Sequence, residues 1–128
     1  MMKIYTTYFA NLKKLPKDIV PIAICGKSPT GFKGAQYKKL APKYDFFMKW
    51  KENHDNEYYI QCFNEQVLSV LDAKLVIDDL KRISGIENNG KSGIAMVCYE
   101  RPEDFCHRHL VAKWLNENGY NVKEYGEV

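Results

Sequence analysis

Two rhythms of apolar positions run along the chain. Residues 3–9 concentrate β-branched and aromatic side chains around Ile4, Tyr5, Thr6 and Thr7, which predicts a strand. Residues 11–14 predict a short turn or helical piece ending at Pro16. A second strand is predicted over 19–25. Pro21 within it lacks an amide donor, which argues for an edge strand or an early strand position. Residues 36–43 predict a helical turn broken by Pro42.

The spacing then changes to three and four. Phe46, Phe47 and Trp50 share a face of a helix predicted over 44–53, with His54 exposed at its exit. A longer amphipathic helix is predicted over 58–71, with Tyr59, Cys62, Phe63, Gln66, Val67 and Val70 along one side. Asp72 is the N-cap of a third helix over 73–84 that turns Leu75, Val76, Leu80 and Ile83 inward. After a polar connection over 85–93 comes the apolar run 94–99, read as a strand. A helix beginning at Cys106 carries Leu110, Val111, Trp114 and Leu115 and stops near Asn118-Gly119, and 120–125 predicts a last strand.

Strand, helix, strand at the end of the chain favours parallel strands joined by a right-handed crossover. The expected fold is α/β: a single domain with a small, largely parallel sheet flanked by helices and a C-terminal strand-helix-strand unit. In such sheets ligands sit beyond the carboxyl ends of strands, which is where residues 100–108 would lie.

A chain of 128 residues with 45% hydrophobic content suffices for one core. No apolar run approaches a membrane span, and the N-terminus lacks the apolar segment of a signal peptide. Cys25, Cys62, Cys98 and Cys106 form no compact framework and read as reduced thiols, so the expected location is cytoplasmic. The net charge is only +3, but residues 27–51 hold seven lysines against Asp45 alone, and residues 52–80 hold seven acids against Lys74 alone. Such polarity can steer an anionic partner, or it can reflect two solvated faces.

Gly26-Lys27-Ser28 invites a phosphate-loop reading, which fails: Pro21 stands where that motif needs glycine, and Pro29 blocks the following helix. A looser anion site using Lys27, Ser28 and backbone donors remains open beside a plain flexible turn.

The densest chemistry is at 98–109. Cys106 falls at the first turn of a helix, whose unsatisfied amides favour a thiolate. Arg101, His107 and Arg108 would add to that effect, while Glu100, Glu103 and Asp104 oppose it. The residues admit a reactive thiol, an anion pocket clamped by Arg108, or a buried cysteine closing the helix start. His107 lies on the inward face, and His109 points elsewhere, so the two imidazoles do not share a metal. Cys98, Cys106 and His107 could do so only if the strand end brought Cys98 over. Their spacing matches no standard zinc pattern, so no metal or other cofactor is expected, and Cys98 is read as facing a covering helix. Glu100 could orient His107, act as acid or base, or form a salt bridge with Arg101 or Arg108. The glycine loop and the turn after Tyr99 would flank one crevice, with Thr6, Thr7 and Tyr8 as a third wall.

Cys98-Tyr99-Glu100-Arg101-Pro102 followed by Cys106-His107-Arg108-His109 resembles the signature of the domain of unknown function 488 family. The resemblance extends more loosely through Ile4-Tyr5-Thr6 and the loop after Cys25. It implies a fold and a site, and no reaction.

Two functions follow as expectations. One is a small enzyme acting on an anionic substrate, such as a nucleotide or nucleic-acid component. Cys106, His107, Arg108 and Glu100 would be its catalytic set, with Thr7, Tyr8, Lys27, Ser28 and Arg101 holding substrate. In that reading Arg108→Ala and Cys106→Ala remove turnover and leave the fold intact. The other is a non-catalytic module that binds nucleic acid or protein through the lysine-aromatic surface of residues 27–51. Neither reading places the protein at a membrane or sets an oligomeric state.

Overall fold

Strands β1 (Lys3–Tyr8), β2 (Ile19–Ala23), β3 (Ala35–Gln36), β4 (Gly93–Cys98) and β5 (Val122–Glu124) form a five-stranded sheet in the order β3-β2-β4-β1-β5. Every pairing is parallel, as the strand-helix-strand pattern predicts. The computed structural model describes residues 2–126. β4 is buried at all six positions, which fits a central strand flanked on both sides by others. The edge strands β3 and β5 have two and three residues, too short to offer an open ladder.

At the start of β4 only glycine fits. A Cβ on Gly93 would sit 2.4 Å from the Lys3 carbonyl oxygen, because β1 closes directly over it. Backbone cannot swing away as a side chain can, so Gly93→Ala is expected to destabilise the protein by about 1–3 kcal/mol. Urea unfolding should show a lower midpoint at an unchanged slope.

The helices are α1 (Tyr44–Asn53), α2 (Asn56–Phe63), α3 (Ala73–Ser84), α4 (Ile86–Asn89) and α5 (His107–Glu117). α1 ends at His54, exposed and in the left-handed region (φ 53°), and Asp72 caps α3 by accepting from the amides of Lys74 and Leu75 at 2.9 and 3.3 Å. Both agree with local sequence signals. Phe46, Phe63, Leu80, Met96 and Leu115 are fully buried and belong to one continuous core.

The structure departs from the expected elements in several places. β2 is an internal strand despite Pro21, which is its third residue. β3 pairs only with Ile22 and Ala23, so no ladder partner faces the proline on that side. β3 takes Gln36 from the range read as a helical turn, and the turn itself is present as a 3-10 turn at Lys38–Leu40. The second helix gives way to a π turn over Asn64–Leu68 and ends there, which leaves Val70 73% exposed. On α3 the inward set is Ala73, Val76, Ile77 and Leu80, and Leu75, two positions from both Ala73 and Ile77, points out at 61% exposure. The polar connection after α3 contains the single turn of α4.

Candidate functional site

β2 and β4 run side by side with Ile22 opposite Met96 and Ala23 opposite Val97, and the Ile24 amide extends the pairing to the Val97 carbonyl at 3.0 Å. Cys25 and Cys98 therefore leave the sheet at the same end. The turn after Tyr99 brings the chain back, and Cys106 forms the N-cap of α5 in extended backbone. His107 then turns inward. Its Nε2 lies 2.8 Å from the Ile24 carbonyl oxygen, which can only accept, so Nε2 carries the proton. Nδ1 faces Cys98 Sγ at 3.5 Å. The ligating atoms of Cys98, Cys106 and His107 lie within 4.8 Å of one another, and all three residues are buried. Cys98 thus faces the first residue of α5, as the reading of a covering helix expects, with Cys106 beside it. Cys98 is the last residue of β4, still in register with Tyr8 of β1, and its thiol meets the returning chain at His107.

The two thiols are shifted in opposite directions. The neighbouring Cys98 thiol, acting as donor, holds Cys106 well below the ordinary thiol range, against the opposing effect of burial. His107 and the Arg108 amide at the start of α5 add to the lowering, although that amide makes no capping hydrogen bond to the sulfur. Cys98 moves the other way, raised by its role as donor to Cys106 and by burial. The pair thus favours the charged form on Cys106 over Cys98. Cys25 is raised mainly by burial and donates to the Lys27 carbonyl at 3.4 Å.

Arg108 is fully buried and committed. Its Nε and one terminal nitrogen grip the two Glu124 oxygens at 3.0 and 2.9 Å, and the other terminal nitrogen donates to the Glu100 carbonyl at 2.6 Å. Thr6 donates to the same carboxylate at 2.7 Å, and the Tyr8 ring centre lies 5.8 Å from the guanidinium. Burial alone would weaken this charge, but Glu124 and Cys106 more than restore it. One side chain thus ties α5 to β5 and to the turn after β4.

Over Cys98, Cys106 and His107 lies a cavity of about 710 Å³. This size suits a small organic ligand. Phe47 and Trp50 of α1, Tyr59 of α2, and Phe105 and Tyr99 of the turn supply its walls, with Lys27, Lys51 and Glu100 also lining it. Trp50 and Phe105 lie 5.5 Å apart, and Tyr59 meets Phe105 edge-on at 5.0 Å. Tyr99 donates to the Lys27 carbonyl, which joins the glycine loop to the turn.

Of the residues singled out in the sequence, Cys106, His107, Glu100 and Lys27 border this cavity. Arg108 lies outside its walls, and the Glu100 contact to Arg108 is made by the backbone carbonyl instead of the side chain. Thr6, Thr7 and Tyr8 do not form the third wall. Thr6 serves Glu124, Thr7 is buried and accepts from Asn11 at 3.2 Å, and Tyr8 lies against Arg108. The wall comes from α1 and α2 instead. Ser28 has a buried hydroxyl beside the Cys25 thiol, and Arg101 is exposed and paired with Asp104 at 3.3 Å and Glu103 at 3.8 Å. Reading the sequence for core positions hid Trp50 and Tyr59 as cavity residues, and nothing local marked Glu124 as the partner of Arg108.

Among the described residues no helix is long and apolar enough to cross a membrane. No curated protein and no solved structure matches the chain. Residues 4–119 match the family model DUF488-N3a, described as the active DUF488-N3 subclade. The chain belongs to the DUF488 family.

Proposed function

We propose, from that membership and this geometry, that the protein is an enzyme acting on a small planar anion, of the nucleotide or nucleic-acid-component class, within the cavity. The observation that carries the reading is the position of Cys106, in the lining of an aromatic-walled cavity that Lys27 and Lys51 also line, and its neighbours hold its pKa down. Aromatic walls take a flat ring by stacking, and the lysines meet its negative group. Cys106 is the reacting group. His107, fixed through its Nε2 proton, presents Nδ1 to the thiols. Glu100 supplies a carboxylate within the cavity for proton transfer. Arg108 acts as a positioning residue, holding the turn that carries Glu100 to the helix that carries Cys106. Free thiols throughout fit a reducing compartment such as the cytoplasm.

The competing reading, a lysine-aromatic binding surface over 27–51, has less behind it. Phe46 is buried, while Phe47 and Trp50 face the cavity and not an open surface.

The test is protection of Cys106 from iodoacetamide by nucleoside monophosphates, followed by mass spectrometry. Protection should saturate, and the double variant Lys27→Glu, Lys51→Glu should weaken it about tenfold or more, with reduced salt dependence. The reading is lost if these variants protect as wild type does. It is lost equally if charge reversal at Lys38, Lys39 and Lys43 abolishes a nucleic-acid affinity that the cavity variants retain.

A further inference from the structure

We propose that Cys98, Cys106 and His107 form a site for one zinc-like, soft divalent metal ion, with a fourth position open to the cavity. The distances fit. A tetrahedral zinc with bonds of about 2.3 Å to sulfur and about 2.0–2.1 Å to nitrogen sets sulfur and nitrogen about 3.5–3.6 Å apart. His107 Nδ1 and Cys98 Sγ are 3.5 Å apart. The same bonds set two sulfurs about 3.8 Å apart, inside the 4.8 Å that spans the cluster.

The surroundings fit as well. A metal-bound imidazole needs its second nitrogen held by an acceptor, which fixes the tautomer and the ring. The Ile24 carbonyl does this at 2.8 Å and leaves Nδ1 to the metal. Two thiolates and an imidazole without a carboxylate select zinc-like ions over magnesium or calcium. The nearby charge of Arg108 is matched by the two oxygens of Glu124. Cys25 stands close but points its proton at the Lys27 carbonyl, outside the cluster. The fourth ligand would therefore come from the cavity, as water or substrate. Two sulfurs, one imidazole and an open position are an arrangement that supports catalytic zinc.

This inference concerns the same cavity and rests on the proposed function for its consequence, a control on Cys106. With zinc bound, the sulfur lone pair that would attack is committed to the metal. In metal-free protein the Cys106 sulfur is free to react, and in metal-loaded protein it is not.

The experiment uses the full chain, reduced and stripped with a chelator, then titrated with cobalt(II). One equivalent should produce thiolate-to-cobalt charge transfer in the near ultraviolet and the intense visible bands of tetrahedral cobalt. Zinc should displace it and slow iodoacetamide labelling of Cys106. Cys98→Ser and His107→Gln should each weaken binding at least tenfold, and Cys62→Ala, a thiol removed away from the cavity, should not. Circular dichroism of the metal-free variants separates lost ligands from lost fold. A wild-type protein giving only the pale spectrum of octahedral cobalt overturns the proposal, and so does a Cys98→Ser variant that binds as wild type does. If the metal site fails while nucleotides still protect Cys106, only this inference falls. If cobalt binds with sulfur charge transfer and nucleotides give no protection, the site stands and the proposed function falls.

Discussion

Replacing Cys98 with alanine is expected to slow alkylation of Cys106 at neutral pH by roughly tenfold or more, in metal-stripped protein that remains folded. The Cys98 thiol is the largest influence holding Cys106 as a thiolate, and burial is the largest influence against it. Removing the donor leaves burial less opposed, so the folded-state pKa of Cys106 rises past neutrality toward that of a thiol raised by burial, and beyond neutrality each unit removes about tenfold of the thiolate. A rise of one pKa unit corresponds to about 1.36 kcal/mol of lost preference for the charged form. Cys98→Ser keeps a donor of similar reach and should restore most of the reactivity, which separates donation from packing. Cys106→Ala should remove the label at this position altogether. The measurement is a pH profile of iodoacetamide labelling resolved by peptide, with Cys25 as the internal reference for a thiol raised by burial. An unchanged profile in Cys98→Ala would transfer the stabilisation to His107 and the helix start.

Arg108→Ala is expected to cost about 3–5 kcal/mol of stability, because it removes the guanidinium that balances a carboxylate in a largely buried setting. Glu124 is only 10% exposed at its side chain and Arg108 is fully enclosed, so water cannot replace either group. Glu124→Ala should cost a similar amount from the other side. Arg108→Lys should recover little, since an ammonium cannot make the paired contact to both carboxylate oxygens and reach the Glu100 carbonyl as well. Urea unfolding of the two single variants and the double variant gives the coupling energy. A coupling below about 0.5 kcal/mol, the range of independent sites, would refute the account. This prediction replaces the sequence-based expectation that Arg108→Ala spares the fold. Loss of activity in that variant reports on catalysis only when the folded fraction has been measured.

The sequence by itself determined what depends on neighbours a few positions away. Asp72 as a cap, His54 as a helix exit, Cys106 at the opening of the last helix and the apolar run of β4 follow from side-chain reach, turn geometry and periodicity, and each is found in the structure. The parallel sheet followed from the alternation of strand and helix. Periodicity states which face of an element is apolar, and it is silent on which element covers that face. Only the tertiary structure decided that β5 pairs with β1 and not with β4, and that gave Arg108 its partner in Glu124. The His107 ring is aimed by a carbonyl at Ile24, 83 positions away in the chain. That single contact, together with the shared register of β2 and β4, brings Cys98 to Cys106. The three residues of the cluster stand together in the 98–109 stretch of the sequence, but their meeting in space depends on contacts with β2 that no local pattern states. Phe47 and Trp50 read correctly as one side of a helix, but their role as cavity walls depends on α1 lying over the strand ends, a placement set by packing between distant segments.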